Sequence, residues 1–306
     1  MGETKLLGKA FGDEILCKLA ETAEQGCSVS KEQVDKNNGQ KREGIVIRAE
    51  GSRISPVFYL DVMYEQYLQG MSLDELIEAI WQFYWEEAGK KQFDVSDFAE
   101  WSRVKSRLFL RVVSTDMNRA GLETTIHKEI LDLSVVVYVR LDHPTGDGAA
   151  SVMVRKEHLA LWQQREEDVY ALALQNTRQE DITFVSITNA ISEMLSGEER
   201  EMLLDDELMA MESPLFVLTN EAQLFGAVYM LLPEIMDRIA DEKGDDLYIL
   251  PSSIHEILVL AVSKVHNVSC LRDLVQDVNV MQVPVEQRLS NHVYRYSRGT
   301  GLSIAA

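Results

Sequence analysis

The segment at 131–141, LDLSVVVYVRL, limits the fold more than any other. Val135, Val136 and Val137 sit in an almost unbroken apolar run. β-Branched residues without polar alternation suit a strand that is covered on both faces. Such a strand needs packed layers above and below it, so the chain must supply helices or a second sheet. Neighbouring segments offer partners. Residues 104–114 alternate Leu108, Leu110 and Val112 against Arg107 and Arg111, which predicts a strand with a polar side. Residues 150–154 follow the turn Pro144-Thr145-Gly146-Asp147-Gly148, which predicts a hairpin with the valine strand.

Ahead of these strands the period is helical. Residues 3–25 space Leu6, Leu7, Ala10, Ile15, Leu16, Leu19, Ala20 and Ala23 three and four apart, up to Gly26. Residues 31–43 are polar around Asn37-Asn38-Gly39 and read as a loop, and 43–49 read as a short strand on Ile45-Val46-Ile47. Ser55-Pro56 opens a predicted helix through Leu68, and Gly70 ends it. Ser72 and Glu75 have capping-box spacing before a helix that carries Leu76, Ile77, Ile80, Trp81, Tyr84 and Trp85. That aromatic face is a core face unless it proves exposed, in which case it fits an oligomer or partner.

Past Gly89-Lys90-Lys91 the pattern turns to β period. Helices are predicted at 156–162, 166–176, 188–195, 220–230, 233–243 and 268–280, and strands at 182–187, 215–218, 247–250 and 254–262. Pro251-Ser252-Ser253 reads as a tight turn between the last two. The fold class is α+β. A helical N-terminal unit with one short strand occupies 1–90, and an α+β domain with a mixed or antiparallel sheet and packed helices occupies 91–283. A tail at 284–306 is expected to run extended over the surface.

Charge narrows the choice of partners. Fifty acidic against thirty basic residues give a net −20, which repels phosphate backbones and disfavours direct nucleic-acid binding. Half of the excess is local: residues 165–212 hold thirteen acidic and three basic residues. Glu198, Glu199, Glu201, Asp205, Asp206 and Glu207 are therefore candidates for a protein-binding surface, against a solubilising role for the same charges. Residues 215–235, the most hydrophobic stretch, are broken by Asn220, Glu221, Gln223, Pro233 and Glu234, so no membrane span is expected. The start of the chain lacks the features of a secretion signal, and Cys17, Cys27 and Cys270 form neither a disulfide framework nor a C-x-x-C site. A reducing, cytoplasmic setting is expected.

Several segments together resemble a known group. Leu131-Asp132-Leu133 with its valine strand, Glu166-Glu167-Asp168-Val169-Tyr170, Ala173-Leu174-Gln175-Asn176-Thr177, Phe216-Val217-Leu218-Thr219-Asn220, Gly226-Ala227 and the run 248–256 are the main ones. Ile54-Ser55-Pro56, Met71-Ser72-Leu73-Asp74-Glu75 and Asn291-His292-Val293-Tyr294-Arg295-Tyr296 join them. The chain resembles a domain-of-unknown-function family from anaerobic Gram-positive gut bacteria. It departs from that pattern at Thr125-Ile126-His127-Lys128, where a proline precedes the histidine in the family. The resemblance implies no defined activity. It implies a setting on mobile elements beside anti-restriction-type genes, hence an accessory or anti-defence role. A wider similarity to an uncharacterised bacillar family spans 131–277 and implies an α+β module.

Short catalytic signatures are missing: the chain has no phosphate loop, nucleophile elbow, dinucleotide fingerprint or helical zinc motif. No cofactor is expected. Ser252, Ser253, His255 and Glu256 are the candidate catalytic set, because a hydroxyl beside an imidazole and a carboxylate is the raw material of nucleophilic catalysis. If 254–262 is a strand, His255 and Glu256 point to opposite faces, which favours a turn whose serines bond local backbone. The six histidines, at 127, 143, 158, 255, 266 and 292, never fall at helical i, i+4 spacing, and Asp205-Asp206-Glu207 lacks the alternation and glycine of an ion loop. No metal site is expected. The first expectation is a non-catalytic acidic protein-binding accessory factor, in its sharpest form an anti-defence inhibitor of a nucleic-acid-acting enzyme. The alternative is a hydrolase-like enzyme with a site near Ser252 and His255, joined by His127 or His292.

Overall fold

The structure, a computed structural model, describes residues 8–23, 26–50, 55–89, 98–140, 151–194 and 213–306. Two units divide after Val104. The expected boundary at residue 90 borders residues outside that description.

In the first unit, α1 (Gly8–Glu21) buries Phe11, Ile15 and Leu19, one per turn, as its periodicity predicts. It covers a hairpin of β1 (Cys27–Asp35) and β2 (Lys41–Ala49). Residues 31–43, expected as a loop, are thus mostly strand. Their polarity misled the reading because β1 is half-exposed or exposed along its whole length. Asn38 (φ 57) and Gly39 (φ 65) make the left-handed turn between the strands, which these two residue types adopt at little cost. β3 (Val57–Tyr59) pairs with β2 before α2 (Leu60–Leu68), where a single helix was expected. The described residues of the unit therefore form three strands instead of one.

α3 (Leu73–Gly89) starts on the predicted capping box. Ser72 N donates to Glu75 Oε2 at 2.8 Å, and Glu75 N donates to Ser72 Oγ at 3.3 Å. Leu76, Ile77, Ile80 and Tyr84 are buried, so the aromatic helix serves a core.

Among the described residues the second unit holds two antiparallel sheets. In the first, β6 (Leu133–Arg140) is central: it pairs with β4 (Leu108–Ser114) along one edge, and with β5 (His127–Ile130) and β7 (Ser151–Met153) along the other. Leu133 through Val139 are all buried, as the valine run requires. α4 (Thr115–Leu122) packs on one face of the sheet. α5 (Lys156–Trp162) and α6 (Glu166–Arg178) follow. α6 buries Val169, Ala173 and Thr177, and Thr177 Oγ1 accepts from Leu110 N at 2.9 Å, which satisfies a donor on edge strand β4.

The second sheet contains β8 (Ile182–Ser186), β9 (Phe216–Asn220), β10 (Leu247–Leu250), β11 (Ile257–Ala261), β12 (Tyr294–Ser297) and β13 (Gly301–Ile304) in the order β13-β12-β10-β11-β9-β8. All its pairings are antiparallel. α7 (Ile187–Met194), α8 (Pro233–Lys243) and α9 (Val268–Met281) flank it. α8 stops at Gly244, in the left-handed conformation of a helix C-terminus. The fold is α+β with antiparallel sheets, as the sequence implied.

Three readings change. The 284–306 segment is no surface tail, for it supplies two strands and buries Val293, Tyr294 and Tyr296. Its inward residues alternate, so a short count of apolar residues was enough. The helix expected at 220–230 is a loop followed by a 3-10 helix, Gly226–Leu231, because Asn220 closes the loop: its Oδ1 accepts from Leu224 N and its Nδ2 donates to Leu224 O, both at 3.0 Å. The β10–β11 link is longer than a tight turn, running from 251 to 256.

Gly226 sits where that loop meets the β10–β11 link. Its N–H donates to His255 O at 2.8 Å, and a Cβ there would lie 2.7 Å from both His255 O and Thr219 Cα. Both obstacles are backbone atoms. Gly226→Ala is therefore expected to lower stability by about 1–3 kcal/mol in urea or thermal unfolding, the usual cost of overpacking.

Candidate functional site

The candidate catalytic set divides between two faces. Ser252 and Glu256 line a pocket of about 290 Å³ under α7, together with Thr183, Thr219 and Gln223 at the polar end and Val185, Ile191 and Leu258 at the apolar end. The register explains this grouping, since Thr183 faces Thr219, Val185 faces Val217 and Val217 faces Leu258 on one side of the sheet. Burial pushes the Glu256 carboxyl above its ordinary range, and the hydrogen bond from Ser252 offsets only part of that.

His255 belongs to the opposite side. Its ring stacks on Phe225 at 5.2 Å, and its Nδ1 accepts from Phe225 N at 3.3 Å. That bond requires an unprotonated Nδ1, so the proton of the neutral ring is on Nε2. Burial, then the Arg111 charge, hold His255 below the ordinary imidazole value. Ser253 Oγ accepts from the backbone N of His255 at 3.0 Å. The hydroxyls thus bond Glu256 and local backbone, and among the described residues neither bonds the imidazole.

Phe225 is the centre of a cluster that composition did not announce. It has φ 58, a costly conformation for a bulky side chain. Tyr138 meets its ring edge at 4.8 Å, and the Arg111 guanidinium lies 4.8 Å over it. Arg111 was expected on a polar strand face, yet it is only 9% exposed. Burial lowers its value to about 10, so it stays charged at neutral pH, with Tyr138 opposing the shift. The alternation of β4 located Arg111 correctly, but the layer covering that face lies far away in sequence.

A second polar cluster gathers on Asp132, in the two-residue turn between β5 and β6. Its carboxylate accepts from Ser290 Oγ at 2.7 Å, His292 Nδ1 at 3.0 Å and Tyr294 OH at 2.8 Å. Ser290, His292 and Tyr294 share one side of an extended segment at spacing two, the signal that could have linked them. Ser290 Oγ also lies 3.3 Å from His292 Nδ1, the same nitrogen that meets the carboxylate, so the order of a Ser-His-Asp relay, with serine on the other ring nitrogen, is absent. The group works as a clasp that ties the last strands to the β5–β6 turn.

The remaining candidates scatter. His127 lies on β5 beside Glu129, with Nε2 3.9 Å from its carboxylate. His158 Nδ1 accepts from Arg155 N at the start of α5, and His266 is exposed. His143 lies outside the described residues, as do Glu198, Glu199, Glu201, Asp205, Asp206 and Glu207. Among the described residues no three metal-ligating side chains gather, and no helix is long and apolar enough to cross a membrane.

The Asp132 clasp has a defined pH signature. Burial opposes its ionisation, but three hydrogen bonds outweigh burial and hold its folded value below the ordinary one. The stabilisation is therefore complete above the unfolded carboxylate value of about 4 and is lost as pH falls through the lower folded value. Asp132→Ala is expected to cost on the order of 3 kcal/mol at neutral pH and to show a smaller loss in acid, read by urea unfolding at both pH values.

The profile of a family of unknown function, DUF5688, matches residues 9–298. No curated protein and no solved structure matches the chain. With nearly its whole length inside that match, this chain belongs to the DUF5688 family.

Proposed function

We propose that this is a non-catalytic binding protein whose second unit takes a small, largely apolar ligand with a cationic or hydrogen-bond-donating head under α7. One observation carries the reading: Glu256, held above the ordinary carboxyl range by burial, sits at the polar end of a pocket whose other end is apolar, with Ser252 as its hydrogen-bond partner among the described residues. Convergent polar groups at one end of such a pocket are the usual form of a ligand site. A cationic head supplies the counter-charge that Glu256 does not find among the described residues. Nucleophilic catalysis fits the arrangement less well, since Ser252 and His255 serve different faces.

Two measurements test this. A group with a raised folded value stabilises fully below its unfolded value, and that contribution is lost as pH rises through the folded value. Glu256→Gln is therefore expected to raise the unfolding midpoint at neutral pH and to leave it unchanged near pH 4. In ligand-observed NMR, butylamine should bind better than butanol, lose that advantage in Glu256→Gln, and be displaced entirely in Ala190→Trp, which fills the pocket. Equal signals from all three proteins would sink the reading.

The charge run supports a protein partner in addition. Thirteen acidic against three basic residues at 165–212 suit a basic surface, including the nucleic-acid channel of an enzyme that the protein would inhibit in an anti-defence role. Complex formation is then salt-sensitive. Reversing Asp205, Asp206 and Glu207 to lysine is expected to weaken capture of that partner at least about tenfold at low salt. Unchanged capture rules the segment out.

A further inference from the structure

We propose that Arg111 and His255 form a binding site for a small oxyanion, a carboxylate or phosphate group, on the side of the β10–β11 link opposite the pocket. The first ground is an unanswered charge. Arg111 is nine-tenths buried, and among the described residues its guanidinium makes no hydrogen bond and meets no carboxylate within ion-pair distance. Its Nε is fully enclosed and has no acceptor. Buried guanidinium groups are normally paired, and leaving one unpaired is expensive.

The one titratable acceptor that acts on Arg111, Tyr138, is already committed: its OH accepts from Arg140 at 3.1 Å. What remains beside Arg111 is another donor. The Phe225 N–H occupies Nδ1 of His255 and so turns a protonated Nε2 outward, for which no partner is present among the described residues. A guanidinium and an imidazole N–H without acceptors among the described residues, both packed against the Phe225 ring, call for an acceptor between elements that supply none.

The geometry also suits an oxyanion in particular. Phe225 lies under the guanidinium and fixes its plane, so the N–H fork is held ready for two oxygens. Phe225 itself is held at φ 58 by its bond to His255, and strain of this kind persists where the surroundings impose it, as at ligand clamps.

The test uses the full chain with sodium phosphate and sodium acetate as probes, and sodium chloride at matched ionic strength as control. The expected result is a saturable rise of several degrees in Tm with an oxyanion beyond that with chloride, accompanied by a shift of the Arg111 Nε–H resonance. A response to phosphate alone assigns the site to phosphate groups, and a response to acetate alone assigns it to carboxylates. Arg111→Met should lose the response or weaken it about tenfold or more. If Arg111→Met does not fold, the Arg111 Nε–H titration in the wild-type chain decides. The site is refuted if neither oxyanion exceeds chloride, if the response never saturates, or if Arg111→Met responds like wild type.

Discussion

The Glu180 carboxylate is only 11% exposed, and a carboxylate so covered needs hydrogen-bond donors, which here come from separate parts of the second unit. Arg140 arrives from β6, Tyr229 from the 3-10 helix and Asn220 from the end of β9. Meeting one carboxylate fixes these elements against one another, and with them the two sheets. Burial and the adjacent carboxylate push the Tyr229 hydroxyl well above its ordinary value, which keeps its proton in place as a donor. Arg140 is further settled over the Phe109 ring at 4.1 Å. Hydrophobic burial supplies most of the driving force for such a unit, but it is indifferent to register. The directional bonds at Glu180 choose which side of the second sheet faces the first.

Asp132 repeats the solution with other partners. It draws Ser290, His292 and Tyr294 onto one turn, and so places β12 at the edge of β10. Asn279 of α9 adds a bond from Nδ2 to Ser290 O at 2.9 Å. Two buried or half-buried carboxylates thus do for tertiary placement what hairpin turns do locally. Neither has the geometry of an acid-base relay: partners that bond one another, Ser290 with His292 and Asn220 with Tyr229, also bond the carboxylate directly, so no group stands between it and a nucleophile.

What the sequence disclosed follows this division between local and distant causes. The valine strand, the Ser72–Glu75 capping box, the helices at 156–162 and 233–243 and the Gly244 stop depend on neighbours within a few residues, and all are present. β1 was hidden because a half-exposed hairpin strand has no apolar alternation to display, and β12 because its environment is set by Asp132, more than 150 residues away. At the candidate site, alternation separated His255 from Glu256 in advance. It also gave Arg111 its side of β4. It did not show that the side is covered, since Phe225 and the 3-10 helix that cover it come over 100 residues later. A polar residue on an alternating strand reveals its direction, and only the tertiary layer decides whether that direction is solvent.

The two faces around the β10–β11 link share one rigid joint. His255 receives three bonds on two atoms: its carbonyl accepts from Gly226 N at 2.8 Å and from Thr219 Oγ1 at 2.9 Å, and its Nδ1 accepts from Phe225 N. Thr219 lines the pocket, and Phe225 lies beneath Arg111. The absence of a side chain at residue 226 is what lets the loop come close enough for both carbonyl bonds, and the same approach holds Phe225 in its strained conformation. The pocket wall and the aromatic floor under Arg111 are therefore set by a single backbone contact. Neither can be repositioned while that contact stands, so rigidity here is a property of the joint and not of either face alone.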